Sequence, residues 1–229
     1  MTSQYTYIHV ELGDDKPAWY KDKVNPNGTV PAVYDAGKPV LESNVVAEYF
    51  EEKFPGSGTS LMPSDVVDRA AVRLFCACVP LAPWPQLCSS RDSRVFCRQF
   101  SPAPLYALLT CVDESKRAET EAATKAALAT VEARFSAGHP SGPFFLGESL
   151  SLADVALLPF VDRMATLLKN YRGYEMLAEM PRVAKAFAAV QSRPAWKATS
   201  QAPKFYMDAY SGYASGTPGK LPKTVKASA

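Results

Sequence analysis

The chain has 229 residues, of which 47% are hydrophobic and 21% charged, with 25 Lys+Arg against 23 Asp+Glu. That length admits one large domain or two small ones, with a core that needs no covalent staples. A formal net charge of +2 gives no field for a general nucleic-acid or membrane-surface binder. No apolar run of about 18 residues predicts a membrane span, and Met1 to Val10 lack the basic-then-apolar pattern of a leader.

Tyr5 to Leu12 alternates and is rich in β-formers, which predicts a strand over 5–12. Gly13 to Pro17 reads as a loop, followed by a helical turn around Trp19. Asn25-Pro26-Asn27-Gly28 is a turn signal. Val30 to Tyr34 predicts a second strand, Asp35 to Pro39 a hairpin turn, and Val40-Leu41 a short third strand. Ser43 to Lys53 has helical spacing in Val46, Tyr49, Phe50 and Phe54. Phe54 to Ser60 breaks the pattern with Pro, Gly and Ser, and reads as a linker.

Beyond the linker the periodicity is helical. Asp65 to Val79 is expected to bury Val67, Ala70, Leu74 and Cys78. The Pro-rich stretch 80–104, with Trp84, reads as a long loop. Helices are expected over 114–137, with Leu128, Val131 and Phe135 inward, over 152–169, and over 181–192, where Arg193-Pro194 ends the run. From Gly212 the composition is that of a loose tail. A β-rich first quarter before an all-helical remainder predicts an α+β domain over 1–58, an all-α domain over 64–211 and a flexible tail over 212–229.

The five cysteines, Cys76, Cys78, Cys88, Cys97 and Cys111, include no two close pairs, so no metal site is expected. An odd count without a leader predicts free thiols and a cytoplasmic chain. His9 and His139 stand apart from any Cys or Asp constellation, and Asp113-Glu114, Glu119 and Glu121 read as a solvated helix face.

Two segments suggest binding chemistry. In Asn25-Pro26-Asn27-Gly28-Thr29-Val30-Pro31 a proline enters a strand, where it belongs at an edge or bend. If the Val30-Pro31 bond is cis, Val30 can offer its N–H and C=O to a peptide-like ligand. An ordinary trans proline at a β-edge is the other reading. In Glu42-Ser43-Asn44, Ser43 suits an N-cap or first-turn position, whose N–H groups and positive helix end bind a carboxylate. Glu42 could accept an ammonium group, so the pair could hold an amino-acid head; plain capping with a solvated Glu is the alternative. Ser151-x-x-Asp154 has the capping-box pattern, with Leu150 at the staple position.

Lys16-Pro17-x-Trp19, Asn25-Pro26-x-Gly28-x-Val30-Pro31 and Leu41-Glu42-Ser43, with Phe144-Phe145-Leu146-Gly147 and Leu150-Ser151-Leu152-Ala153-Asp154 further on, resemble the glutathione transferases. The likeness covers residues 5–200 and leans to the omega-like, thiol-transferring branch and to the thiol-dependent reductases of parasitic protozoa. It implies a thioredoxin-like domain, here incomplete, followed by a glutathione-transferase-type helical domain. It also implies glutathione as substrate, an electrophilic or disulfide second substrate, and a homodimer through the helix at 65–79. By the same resemblance Val30 and cis-Pro31 pair with the cysteinyl part, Glu42 and Ser43 hold the γ-glutamyl head, and Lys16 reaches the glycyl carboxylate. The second-substrate pocket is expected around Cys76, Trp84 and the 200–210 segment.

The sequence departs from the family at its start. The strand and helix that carry the family's Cys, Ser or Tyr nucleophile would precede Tyr5, and only Met1-Thr2-Ser3-Gln4 stand there. A truncated form lacking the nucleophile is expected, with no catalytic residue of its own and little activity alone. A unit supplied by another chain or domain is the second possibility. The alternative function is a noncatalytic interaction module of the same fold.

Overall fold

In the computed structural model the described residues are 5–10, 16–78 and 103–217. The long loop at 80–104, Trp84, Cys88, Cys97, the side chain of Cys78 and most of the expected tail lie outside them. The described residues fall into two compact units that meet in sequence between Met62 and Pro63.

The first unit holds helix α1 (Ala18–Lys23), strands β1 (Ala32–Asp35) and β2 (Lys38–Leu41), and helix α2 (Ser43–Lys53). The strands form an antiparallel hairpin with Ala32 opposite Leu41 and Asp35 opposite Lys38. Ala36 and Gly37 both have positive φ at its tip, the backbone that a two-residue hairpin turn requires. Helix α2 buries Val46, leaves Tyr49 half-buried and leaves Phe50 exposed.

The expected strand over 5–12 is not formed. Residues 5–10 carry no regular secondary structure, and the described sheet has only two strands. A strand is completed by the neighbour that pairs its backbone, and the described sheet gives this segment none. Tyr5, Tyr7 and Ile8 are exposed.

The second unit is helical: α3 (Val66–Cys78), α4 (Ala103–Thr110), α5 (Arg117–Ser136), α6 (Leu152–Arg172), α7 (Pro181–Gln191), α8 (Pro194–Thr199) and α9 (Pro203–Ala214). Short 3-10 turns sit at Glu114–Lys116 and Met176–Glu179. Helix α6 is the central element: α3, α4, α7 and α9 all pack on it. Its Leu157, Leu158, Met164, Leu167 and Leu168 are buried, as are Leu105, Leu108, Leu109, Leu128, Val131 and Val183 of the neighbouring helices. Phe75, Phe135 and Phe145 form a triangle of rings with centroids 4.9 to 5.9 Å apart, in the edge-on and tilted geometries that aromatic quadrupoles favour.

The inward face of α3 differs from the expected one. Val72, Phe75 and Cys76 are buried, whereas Val67 is 72% and Leu74 54% exposed. Both stripes follow helical spacing, and the one that meets the Phe135–Phe145 rings wins. Helix α9 continues three residues into the stretch whose composition suggested a tail. The cap at Ser151 and Asp154 is formed as a capping box.

Candidate functional site

The first unit holds all three segments singled out for binding: Lys16 to Trp19, Asn25 to Pro31 and Leu41 to Ser43. The turn at 25–29 is built around Asn25, a polar side chain only 1% exposed. Its amide donates to the Thr29 carbonyl at 2.9 Å and to the Thr29 hydroxyl at 2.8 Å. Its side-chain oxygen accepts from the Asn27 N–H at 3.0 Å. The Tyr20 hydroxyl, from α1, donates to the same Thr29 carbonyl at 2.5 Å. Burial pushes the Tyr20 phenol upward, against the opposing effect of its hydrogen bond with Asn25, so it stays a neutral donor. These bonds fix the chain just before Val30-Pro31, whose peptide bond is cis. Val30 and Pro31 are exposed.

Gly28 closes the turn at φ +67, and a Cβ placed there would lie 3.5 Å from Cδ of Lys16 and 3.4 Å from Cε of Lys21. The Lys16 stem therefore lies over this turn. Glycine answers both needs, a left-handed backbone and space beneath two lysine stems.

The hairpin register completes the arrangement. Ala32 pairs with Leu41, so Pro31, one residue before, and Glu42, one residue after, lie at the same end of the ladder. Glu42 occupies the N-cap position of α2 with φ +68. This left-handed conformation is uncommon for a residue with a Cβ and costs on the order of 1–3 kcal/mol, a feature that clusters at ligand clamps. Its carbonyl accepts the first helical bond, from Val46 N–H at 2.8 Å. Ser43 is therefore the first helical residue, and it is not a side-chain cap. Glu42 and Ser43 are exposed, and the first turn of α2 has no acidic residue. The positive dipole end of α2 can receive a carboxylate.

The far end of α2 is tied to the hairpin. The Tyr49 hydroxyl and the Lys53 ammonium both donate to Asp35 Oδ2, and they hold the Asp35 carboxyl below its ordinary range, Lys53 contributing most.

Beside this site lies a groove of about 1470 Å3, lined by residues 5–10 and by Val30, Val33, Val46, Tyr49, Phe50 and Phe54. Its walls are mostly apolar, and all four residues of β1 line it.

None of Lys16, Val30, Pro31, Glu42 and Ser43 is a thiol or a base placed to activate one. Among the described residues Cys76, which is buried, and Cys111 are in no disulfide, and both lie in the helical unit. No group of three His, Cys, Asp or Glu among the described residues could hold a metal, and no described helix is long and apolar enough to cross a membrane.

Sequence reasoning missed three contributors. Asn25 was visible as a turn residue, but its burial was not. Tyr20 had no signal beyond a short helical turn. The backbone of Glu42 is set by the tight passage from β2 into α2, and the Leu41-Glu42-Ser43 order carries no mark of it.

Two family descriptions match the chain: "Glutathione S-transferase, N-terminal domain" over residues 3–53 and "Glutathione S-transferase, C-terminal domain" over residues 103–199. Among curated proteins, "Protein IN2-1 homolog A" of Oryza sativa subsp. japonica is 30% identical over 194 residues, which are 85% of this chain and 68% of that protein. Among solved structures, the trimeric glutathione transferase TDR1 of Leishmania superposes with a TM-score of 0.67 at 25% identity, over 94% of this chain and 42% of the other. Glutathione transferase Omega 3C from Trametes versicolor gives a TM-score of 0.60 at 29% identity, over 87% of this chain and 75% of the other. The chain thus spans about two thirds of the rice protein and less than half of the Leishmania one.

Proposed function

The chain belongs to the glutathione S-transferase family, and on that premise we propose that it binds glutathione as a member of the omega-like, thiol-transferring branch. The observation that carries this reading is the convergence of cis-Pro31, Glu42 and Ser43 at one end of the hairpin. There Val30 would pair its backbone with the cysteinyl amide of glutathione. The first turn of α2 and the Ser43 hydroxyl would take the γ-glutamyl carboxylate, and Glu42 its ammonium. Lys16, lying over the Gly28 turn, would meet the glycyl carboxylate.

These residues bind, and none polarises the sulfur. Binding a substrate without stabilising its transition state gives little acceleration. We take turnover to need a thiol or hydroxyl brought by a strand and helix seated in the groove beside β1. With that unit the chain would transfer or reduce thiols; without it, it would serve as a binding module. The exposed Val66, Val67 and Leu74 of α3 support a homodimer. Cys76 and Cys111, in no disulfide, suit a cytoplasmic location.

The test is calorimetric titration of glutathione, with Glu42→Gln and Ser43→Ala alongside. Each variant is expected to weaken binding about tenfold, the loss of one charge-assisted contact. Unchanged affinity in both would overturn the assignment. Thiol-transfer assays of the same samples separate binder from enzyme: rapid turnover by the chain alone would remove the requirement for a seated nucleophile.

A further inference from the structure

The hairpin of the first unit has two unlike edges. Its two-residue turn, Ala36-Gly37, closes on Asp35 and Lys38, a pair that exchanges both of its backbone hydrogen bonds. The alternation makes Val33 and Val40 the next bonded pair, so Ala32 and Tyr34 turn their N–H and C=O groups away from β2. On the outer side of β2 the matching position is Pro39, which has no N–H to offer and blunts that edge. The described sheet has no third strand, which leaves the β1 edge as the one able to accept a strand. All four residues of β1 line the groove, although successive side chains point to opposite faces; the groove therefore runs along that edge. Residues 5–10 line the same groove and belong to no strand. They read Tyr-Thr-Tyr-Ile-His-Val, with no Asp, Glu, Lys or Arg, and Tyr5, Tyr7 and Ile8 are exposed.

We propose that the groove is a self-association site, in which residues 5–10 of a second copy of this chain pair with the β1 edge at Ala32 and Tyr34. Charge, size and area point to that occupant. The segment alternates β-formers and carries no acidic residue and no lysine or arginine. It meets a strand of Ala32, Val33 and Tyr34, whose one charged member, Asp35, is already tied to Tyr49 and Lys53. A groove of about 1470 Å3 exceeds the ~300–1,000 Å3 of sites for drug-sized ligands and takes a peptide strand. Tyr5, Tyr7 and Ile8, at 84, 73 and 61% exposed, offer on the order of 400 Å2 per copy on the scale of a buried aromatic side chain. Two reciprocal insertions, counting strand and groove alike, reach the roughly 1,200 Å2 or more of a stable interface. The exchange is isologous: each copy gives the segment and receives it, which closes a pair and leaves no β1 edge to start a fibre. It uses no residue of α3.

A second copy in the groove would bar any nucleophile-bearing strand from seating there. That consequence rests on the transferase reading, whereas the pairing itself does not. The test is sedimentation velocity of the full chain over a dilution series, made on Leu74→Glu so that the exposed face of α3 does not contribute, with amide exchange read by NMR at Ala32 and Tyr34. Dimers are expected to fill as concentration rises, and the two amides to slow in step. Ile8→Lys brings a charge into the groove, and Tyr34→Pro removes an outward N–H that β2 does not use. Each is expected to raise the dissociation constant at least about tenfold. An excess of the peptide Tyr5–Val10, with blocked ends, is expected to return dimers to monomers in which Ala32 and Tyr34 stay protected. A chain monomeric throughout the series, association unchanged in Ile8→Lys, or protection of the two amides that ignores concentration would each overturn the proposal. The last result would mean that the segment folds onto its own β1. If Tyr34→Pro does not fold, Ile8→Lys, at an exposed position, decides. Glutathione enters none of these measurements, so failure of the glutathione reading leaves them intact.

Discussion

Asp154 accepts three hydrogen bonds in the interior: from Phe145 N–H at 2.9 Å, Ser151 N–H at 2.8 Å and the Ser151 hydroxyl at 2.8 Å. One carboxylate thus caps α6 and pins the loop that presents Phe145 to the aromatic triangle. The sequence pattern showed the cap, and on that basis Asp154→Ala would cost about 1 kcal/mol. The bond to Phe145 was not legible, because it crosses nine residues of irregular loop. Removing the carboxylate leaves the Phe145 and Ser151 N–H groups buried and unpaired, at about 1–3 kcal/mol each. Asp154→Ala is therefore expected to lower stability by about 2 kcal/mol or more in urea denaturation. A loss near 1 kcal/mol would mean that water replaces the carboxylate at Phe145.

Among the elements, the C-terminal ends of α4, α6 and α9 converge on one side chain. Arg172 donates from Nε to the Leu108 carbonyl at 3.1 Å and from Nη2 to the Leu109 and Ala214 carbonyls, each at 2.5 Å. Arg117 donates to the carbonyl of Arg172 itself. A cation placed over helix C-termini satisfies orphan carbonyls and opposes their partial negative charge. Arg172→Met keeps much of the stem and removes these donors. It is expected to cost about 2–3 kcal/mol and to speed amide exchange at the ends of α4 and α9 before their middles. Helices with strong punctuation or a clear stripe were legible: Ser43–Lys53 was read to the residue, and Pro181–Gln191 to within one. Helix α4 was missed because its eight residues are nearly all apolar and show no polar face. Helix α8 was missed because Pro194 was weighed as a stop, whereas Pro194 and Pro203 each sit in the first turn of a new helix, α8 and α9. The binding segments themselves were legible from their order. Their convergence comes from the hairpin register, which no short motif states.

At the scale of the molecule the two units answer acid differently. In the first, Asp35 lies below its ordinary range because of Lys53 and Tyr49. Glu51 is also lowered: burial raises it, but the Ser60 hydroxyl and the Leu61 and Met62 N–H groups together outweigh that. A carboxyl depressed by folding stabilises above its unfolded value and loses that contribution as pH falls through the folded one. In the second unit the Ser115 hydroxyl holds Asp113 below its ordinary range, but burial raises Asp154 and Asp162, so protonation of those two on acidification favours the folded state. Below about pH 4, where unfolded carboxyls take up protons, α2 and the β1–β2 hairpin are expected to lose exchange protection first. Hydrogen exchange read by mass spectrometry across that range checks this. Simultaneous loss of protection in both units would show that the Asp35–Lys53 tie is not what limits the first.

The Gly28 turn also bears on how the protein ages. Asn27-Gly28 is a sequence prone to deamidation, because a glycine N–H can turn freely to attack the preceding side-chain amide. Here that N–H is engaged, donating to the Asn25 carbonyl at 2.8 Å, and the backbone is held left-handed beneath two lysine stems. The folded turn should therefore resist a reaction that its unfolded chain undergoes readily. Conversion would put a new carboxylate beside Gly28, next to the Lys16 stem, and alter the charge that meets a ligand there. Deamidated Asn27 in stored samples would then be a cumulative record of how often the first unit has opened. Peptide mapping should find it rising in step with the exchange rate of Gly28 and, on the proposed glutathione reading, scarcer in samples stored with glutathione.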